Sequence, residues 1–145
     1  TEVCLGAGTV LDKETARSAL LNGAKFIVSP HFEPEIATLC NRYSILYVPG
    51  CMTIKEMVAA LEFGCSLIKL FPATNYQPEI IKAIKGPLPN IMPTGGVNLT
   101  NIASWLNHGA LAAGIGGDFT RAYREMGEQG VVKLVSEYKQ AMRGV

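Results

Sequence analysis

Residues 67–96 read LIKLFPATNYQPEIIKAIKGPLPNIMPTGG, and the order of signals within them decides the fold. An apolar run, Leu67 to Pro72, gives way to a helix-period segment that Pro78 opens, that carries Ile80, Ile81 and Ile84, and that Gly86 stops. A second apolar run, Asn90 to Gly96, follows. Strand, helix, strand is the signature of a crossover unit, because parallel neighbours cannot be joined by a tight hairpin.

The unit repeats in both directions. Further runs at Val3 to Thr9, Lys25 to Pro30, Ile45 to Gly50 and Leu111 to Asp118 also end in small or polar residues. The strand-end markers Thr9, Pro30, Gly50, Lys69, Thr94 and Gly117 stand 21, 20, 19, 25 and 23 residues apart. Between them, Asp12 caps a predicted helix with Ala16, Ala19 and Leu20 on one face and a stop at Gly23, and Pro34 opens another with Ile36, Leu39 and Cys40. Thr53 and Glu56 have capping-box spacing before Met57, Ala60 and Leu61, with Gly64 as the stop. Asn98 or Thr100 begins a helix with Ile102, Trp105 and Leu106 that ends at Gly109, and a last amphipathic stretch carries Val131, Leu134, Val135, Tyr138 and Met142.

An open nucleotide-binding sheet would usually show a glycine fingerprint after its first strand; Gly6 and Gly8 begin one, but Leu11 stands where the third glycine belongs. Small and polar residues instead recur after every strand, as they do where all loops converge on one barrel mouth. The expected fold is α/β, a (β/α)8 TIM barrel. Eight units need about 180 to 200 residues, so residues 1–145 are expected to be the last six units of a single barrel domain, with the first two missing. An open six-strand section would leave apolar edges exposed, which natural proteins avoid.

Composition narrows the function. With 48% hydrophobic and 17% charged residues the chain can bury a core, and its net charge of +1 with no basic block draws it toward neither nucleic acid nor an anionic membrane. No apolar run approaches the ~18 residues of a membrane span, and no signal-peptide pattern opens the chain. A small-molecule ligand and a cytoplasmic location are expected. Cys4, Cys40, Cys51 and Cys65 are spaced by 36, 11 and 14 residues, which fits neither a zinc knuckle nor a redox pair, so they read as buried core thiols and no metal is expected. His31 and His108 have no paired partners in the sequence and read as surface or loop residues.

Lys69 interrupts a β-favouring run, and alternation puts Ile68 and Leu70 on one face and Lys69 on the other. An ammonium facing an apolar barrel interior loses solvation, which lowers its pKa and frees a neutral amine to attack carbonyls. The other reading is a strand-end lysine that snorkels to solvent. Pro93-Thr94-Gly95-Gly96 and Gly114-Ile115-Gly116-Gly117-Asp118 follow the last two runs, where barrels commonly hold phosphate; each pair of glycines alone would serve only as a tight turn. Thr9, after Gly6-Ala7-Gly8, offers a hydroxyl for a carboxylate or simply lies in the turn to the next helix, and Phe71 is expected to wall the pocket beside Lys69.

In that order and at those distances, Gly6-Ala7-Gly8-Thr9, Ile68-Lys69-Leu70-Phe71-Pro72, Pro93-Thr94-Gly95-Gly96 and Gly116-Gly117 strongly resemble the 2-keto-3-deoxy-6-phosphogluconate aldolase family, which includes 4-hydroxy-2-oxoglutarate aldolases. The resemblance implies a cofactor- and metal-free class I aldolase, a homotrimer of barrels that cleaves a phosphorylated 2-oxo sugar acid to pyruvate and glyceraldehyde 3-phosphate. It makes Lys69 the Schiff-base lysine, assigns Thr9 to the pyruvate carboxylate and Thr94 to the same pocket, and gives the backbones of Gly95, Gly96, Gly117 and Asp118 to the distal phosphate.

Two departures bear on this. The family's general-base glutamate and carboxylate-pairing arginine would lie before Thr1; Glu2 opens the wrong strand for that role, so these residues alone are expected to be nearly inactive. Asp118 stands where the family more often has serine, and a carboxylate beside phosphate is repulsive unless it points away or pairs with a cation such as Arg121. Alternatives are a sibling aldolase for 4-hydroxy-2-oxoglutarate or the phosphogalactonate epimer, and a non-catalytic phosphate-binding barrel fragment.

Overall fold

Short runs of β-branched, aromatic and aliphatic residues form the strands, and capped amphipathic segments form the helices between them. The computed structural model describes residues 3–88 and 90–145, and Glu2 lies outside them. The chain divides into two compact units, one running to Phe71 and the other from Pro72 to Val145.

The first unit alternates α1 (Lys13–Leu21), β1 (Phe26–Val28), α2 (Pro34–Arg42), β2 (Leu46–Val48), β3 (Gly50–Cys51), α3 (Ile54–Glu62) and β4 (Ile68–Leu70). Every pairing in it is parallel: Ala7 bridges Ile27, β1 runs beside β2 with Val28 opposite Val48, and β3 runs beside β4 with Gly50 opposite Lys69. β2 and β3 form one extended path interrupted at Pro49, which has no N–H to give the ladder. Successive carbonyls on this path point to opposite neighbours: Val48 accepts from Ser29 N at 3.2 Å, whereas Pro49 accepts from Lys69 N at 2.9 Å.

In the first unit the helices start where side chains satisfy orphan N–H groups. Asp12 accepts from Thr15 N at 2.6 Å, and Pro34 occupies the first turn of α2. Thr53 and Glu56 close the predicted capping box, with Thr53 N donating to Glu56 Oε2 at 2.7 Å. Ala16, then Ile36, Ala37 and Cys40, then Met57 and Ala60 are the buried faces. Cys40, Cys51 and Cys65 are buried free thiols, and burial pushes them up to about 11, 12 and 11 respectively. Cys4, by contrast, is exposed.

The second unit contains a 3-10 turn at Ala73–Asn75, α4 (Glu79–Ile84), β5 (Ile91–Pro93), α5 (Ile102–Asn107) and α6 (Gly117–Ala141). Ile81 and Ile84 are buried on α4, and Ile102 and Trp105 on α5. Thr94, just beyond β5, bridges Gly114 in parallel.

The outer runs depart from expectation. The first is reduced to the Ala7 bridge, and Val3 and Leu5 are 79% and 72% exposed rather than buried. Among the described residues that run has a strand partner on one side only, which leaves those side chains uncovered. The last run, rich in glycine and alanine that pack poorly on a pleated surface, is reduced to the Gly114 bridge. Gly117 and Asp118 belong to the first turn of α6, which starts well before Val131 and is broken at Gly127, where φ is 62°. Of its predicted apolar face Tyr138 is buried, while Val135 and Met142 are exposed. The residue capping α5 is Asn101. No helix of the described residues is long and apolar enough to cross a membrane. Thr53→Ala should destabilise the fold by about 1 kcal/mol, the ordinary loss for an N-cap, read as a lower Tm in a thermal melt.

Candidate active site

Lys69 sits in the middle of β4 between fully buried Ile68 and Leu70, and it is only 9% exposed, so it does not snorkel to solvent. Its Nζ lies 4.3 Å from the centroid of the Phe71 ring, the wall residue expected there. Among the described residues no carboxylate comes within ion-pair distance of it. Burial holds its ammonium below the ordinary lysine value of 10.5. The Phe71 face favours the charged form by about 0.5 to 2 kcal/mol, but desolvation sets the net direction.

Thr9 lies at the same end of the first unit's parallel strands. Val10 N donates to Val28 O at 3.1 Å on one strand, and Gly50 is opposite Lys69 on another. Thr9 is exposed with a φ of 58°, a left-handed conformation that for a β-branched residue costs about 1–3 kcal/mol. Its hydroxyl has no hydrogen bond to a described residue, which leaves it available to a ligand.

In the second unit, Thr94 accepts from Ala73 N at 2.8 Å through its carbonyl, while its buried Oγ1 has no hydrogen-bond partner among the described residues. That hydroxyl lies against the Cα of Gly114, where a Cβ would overlap it. An orphaned buried hydroxyl is unusual in a folded protein and marks a place where a ligand or water belongs. Gly95 and Gly96 follow with φ of 87° and 85°. The Gly96 carbonyl is held by Asn101 Nδ2 at 2.9 Å and Asn98 Nδ2 at 3.4 Å, and a side chain at Gly96 would collide with Thr74. Gly116 caps α6 without any side-chain acceptor, so the first-turn N–H groups from Gly117 onward are open to an anion.

Asp118 does not contribute a free charge to that turn. Its Oδ1 accepts from Arg121 Nη2 at 2.6 Å, and its Oδ2 accepts from the Tyr138 hydroxyl at 2.5 Å. Tyr138 is buried and stacks on Phe119 with ring centroids 5.6 Å apart; burial first, then Asp118, pushes its phenol pKa up. Arg121 thereby offsets part of the repulsion expected between Asp118 and a phosphate.

The histidines lie in a bend and a turn, as loop residues, but each has a carboxylate near it that the sequence did not single out. His31 Nε2 is 3.9 Å from Glu33, and His108 is held by the Ser104 carbonyl at 2.7 Å and lies 3.7 Å from Glu79. Both partners are nearby in chain or across a helix pair, which spacing alone did not single out. Among the described residues, no three His, Cys, Asp or Glu side chains gather to hold a metal ion. Residues whose roles at the site the sequence did not point to are Asn98 and Asn101, whose signal is an Asx-turn pattern after the glycines, and Tyr138, whose role needs contact across 20 residues.

Two outcomes follow. Because the folded Lys69 pKa lies below its unfolded value, the folded state disfavours the charged form, and stability contributed by this group rises with pH up to 10.5. Lys69→Met should therefore melt above wild type at pH 7, with the gap narrowing as pH climbs toward 10.5. Tyr138→Phe should lose about 1.5–3 kcal/mol, the range for a hydrogen bond to a charged group, measured by denaturant unfolding.

The sequence matches the family described as "Aldolase: KDPG and KHG aldolase" over residues 1–133. It is 35% identical over 144 residues to the 2-dehydro-3-deoxy-6-phosphogalactonate aldolase of Escherichia coli (strain K12), covering 96% of this chain and 70% of that relative. It spans about half the length of several 2-dehydro-3-deoxy-phosphogluconate aldolases that it matches. Among solved structures, "Native KDPGal structure" superimposes with a TM-score of 0.82 at 34% identity, over 95% of this chain and 69% of that one. The KDPG aldolase of Legionella pneumophila, solved with pyruvate captured as a covalent carbinolamine, gives a TM-score of 0.73 at 26% identity, over 94% and 66%. With its buried lysine, its glycine turns and this extent of similarity, the chain belongs to the KDPG and KHG aldolase family.

Proposed function

We propose that the protein is a class I aldolase that cleaves 2-keto-3-deoxy-6-phosphogluconate to pyruvate and glyceraldehyde 3-phosphate through a Schiff base on Lys69. The observation that carries this is a lysine withheld from water in the middle of β4 with no carboxylate among the described residues to keep it charged. Its neutral amine adds to the C2 carbonyl, water leaves, and the iminium becomes an electron sink. The C4 hydroxyl gives up its proton as the C3–C4 bond breaks, and the electron pair passes to the iminium to form the enamine of pyruvate. Protonation at C3 and hydrolysis return the amine. The residue taking the C4 proton is not assigned within residues 1–145.

In this reading Thr9 and Thr94 hold the pyruvate portion, Phe71 walls it, and the N–H groups of Gly95, Gly96, Gly117 and Asp118 hold the phosphate. The open first turn of α6 and the left-handed Gly95 and Gly96 support the phosphate assignment, and the orphaned Thr94 hydroxyl supports the other. Residues 1–145 are six βα units of a (β/α)8 barrel, a domain assignment supported by the parallel pairings and the likeness to the aldolase structures. The homotrimer and the cytoplasmic setting rest on the family resemblance, the latter also on the buried free thiols.

A second reading, the phosphogalactonate epimer as substrate, is favoured by the E. coli relative that this chain matches over nearly its whole length. Borohydride reduction in the presence of pyruvate should add a covalent label to Lys69, found by peptide mass spectrometry and absent from Lys69→Arg; no label would sink the Schiff-base reading. Cleavage rates on the two phosphorylated epimers and on 4-hydroxy-2-oxoglutarate then rank the substrates, and a preference for the last would overturn the phosphate assignment.

A further inference from the structure

Thr9 and Ser44 are the non-glycine residues with left-handed backbone among those described. Ser44 has a local reason: it follows α2, where Ser44 N donates to Asn41 O at 3.2 Å and Ile45 N reaches back to Cys40 O at 2.9 Å to close the helix end. Thr9 has none, and glycine would adopt the same angle without strain.

The strain comes from an extra residue in the ladder. Ala7 N donates to Phe26 O at 3.0 Å, and Val28 N returns to Ala7 O at 2.8 Å. Regular parallel pairing would next join residue 9 to Val28 O; instead Val10 N makes that bond at 3.1 Å. Gly8 and Thr9 therefore form a bulge, a device that re-aims a side chain beside a functional site. The carbonyl of Val10 would then look to the N–H of residue 30, but that residue is Pro30 and has none. The hydroxyl of Ser29, which is 0% exposed, supplies the missing donor to Val10 O at 2.6 Å.

We infer that Ser29 is a positioning residue: by standing in for the absent N–H of Pro30 it locks the bulge and holds the Thr9 hydroxyl for the carboxylate of the 2-oxo acid. This rests on the Schiff-base reading. Pyruvate-dependent borohydride labelling of Lys69, measured against pyruvate concentration in the full protein, tests it. Ser29→Ala should raise the half-saturating pyruvate concentration roughly two- to tenfold, the loss of one buried hydrogen bond, with the maximal labelling rate and its pH midpoint unchanged. Thr9→Gly, which leaves Ser29 in place, should raise half-saturation similarly while melting higher than wild type, and the double variant should bind no worse than Thr9→Gly alone. A Ser29→Ala protein that loses Tm but half-saturates as wild type does, or a Thr9→Gly protein that fails to melt higher, overturns the inference while wild-type labelling keeps the aldolase reading. Wild-type protein that takes no label removes that reading and the carboxylate role of Thr9 with it.

Discussion

Lys69 donates its backbone N–H to Pro49, lays its ammonium on the face of Phe71, and meets no carboxylate among the described residues. Keeping a cation out of water in this way is unfavourable, and the surrounding strands have to hold it there. They do so through the parallel ladder: β4 is registered on β3 with Lys69 opposite Gly50, and Ile68 and Leu70 are buried on either side. A lysine free to swing into solvent would recover its hydration and its ordinary pKa. The chemistry thus depends on a rigid backbone more than on any partner side chain.

The same trade between stability and readiness recurs beyond the strands, at Thr9 and Thr94. Thr9 carries a left-handed backbone, and Thr94 buries a hydroxyl that no described residue satisfies. Both are features a fold selected for stability alone would discard, and strained or unsatisfied groups tend to cluster at functional sites. Asp118 shows the opposite arrangement. Its carboxylate is fully engaged by Arg121 and Tyr138, which quiets a charge beside a turn whose open N–H groups suit an anion.

Local features were legible in the residues because their physics is local. The Asp12 cap, Pro34 at the first turn of α2, the Thr53–Glu56 box and the stops at Gly23 and Gly64 each need only a few neighbouring residues, and each stands where the spacing puts it. The outer runs are not legible in the same way, because apolar character does not say whether a strand finds partners on both sides. The first half of α6 was missed although Phe119, Ala122, Tyr123 and Met126 follow helical spacing, because the glycines at 116 and 117 look like a loop and Gly127 breaks the period.

By itself the sequence determined the alternation of strand and helix, the parallel pairing that alternation forces, and the position of a lone lysine in an apolar strand; all three follow from periodicity and spacing along the chain. Only the tertiary structure decided that Lys69 is shielded and meets no carboxylate among the described residues, that Arg121 pairs with Asp118 while Tyr138 donates to it, and that Ser29 supplies the donor Pro30 lacks. Desolvation and hydrogen bonding depend on which groups meet across 20 or so residues of chain, and no local pattern encodes that meeting.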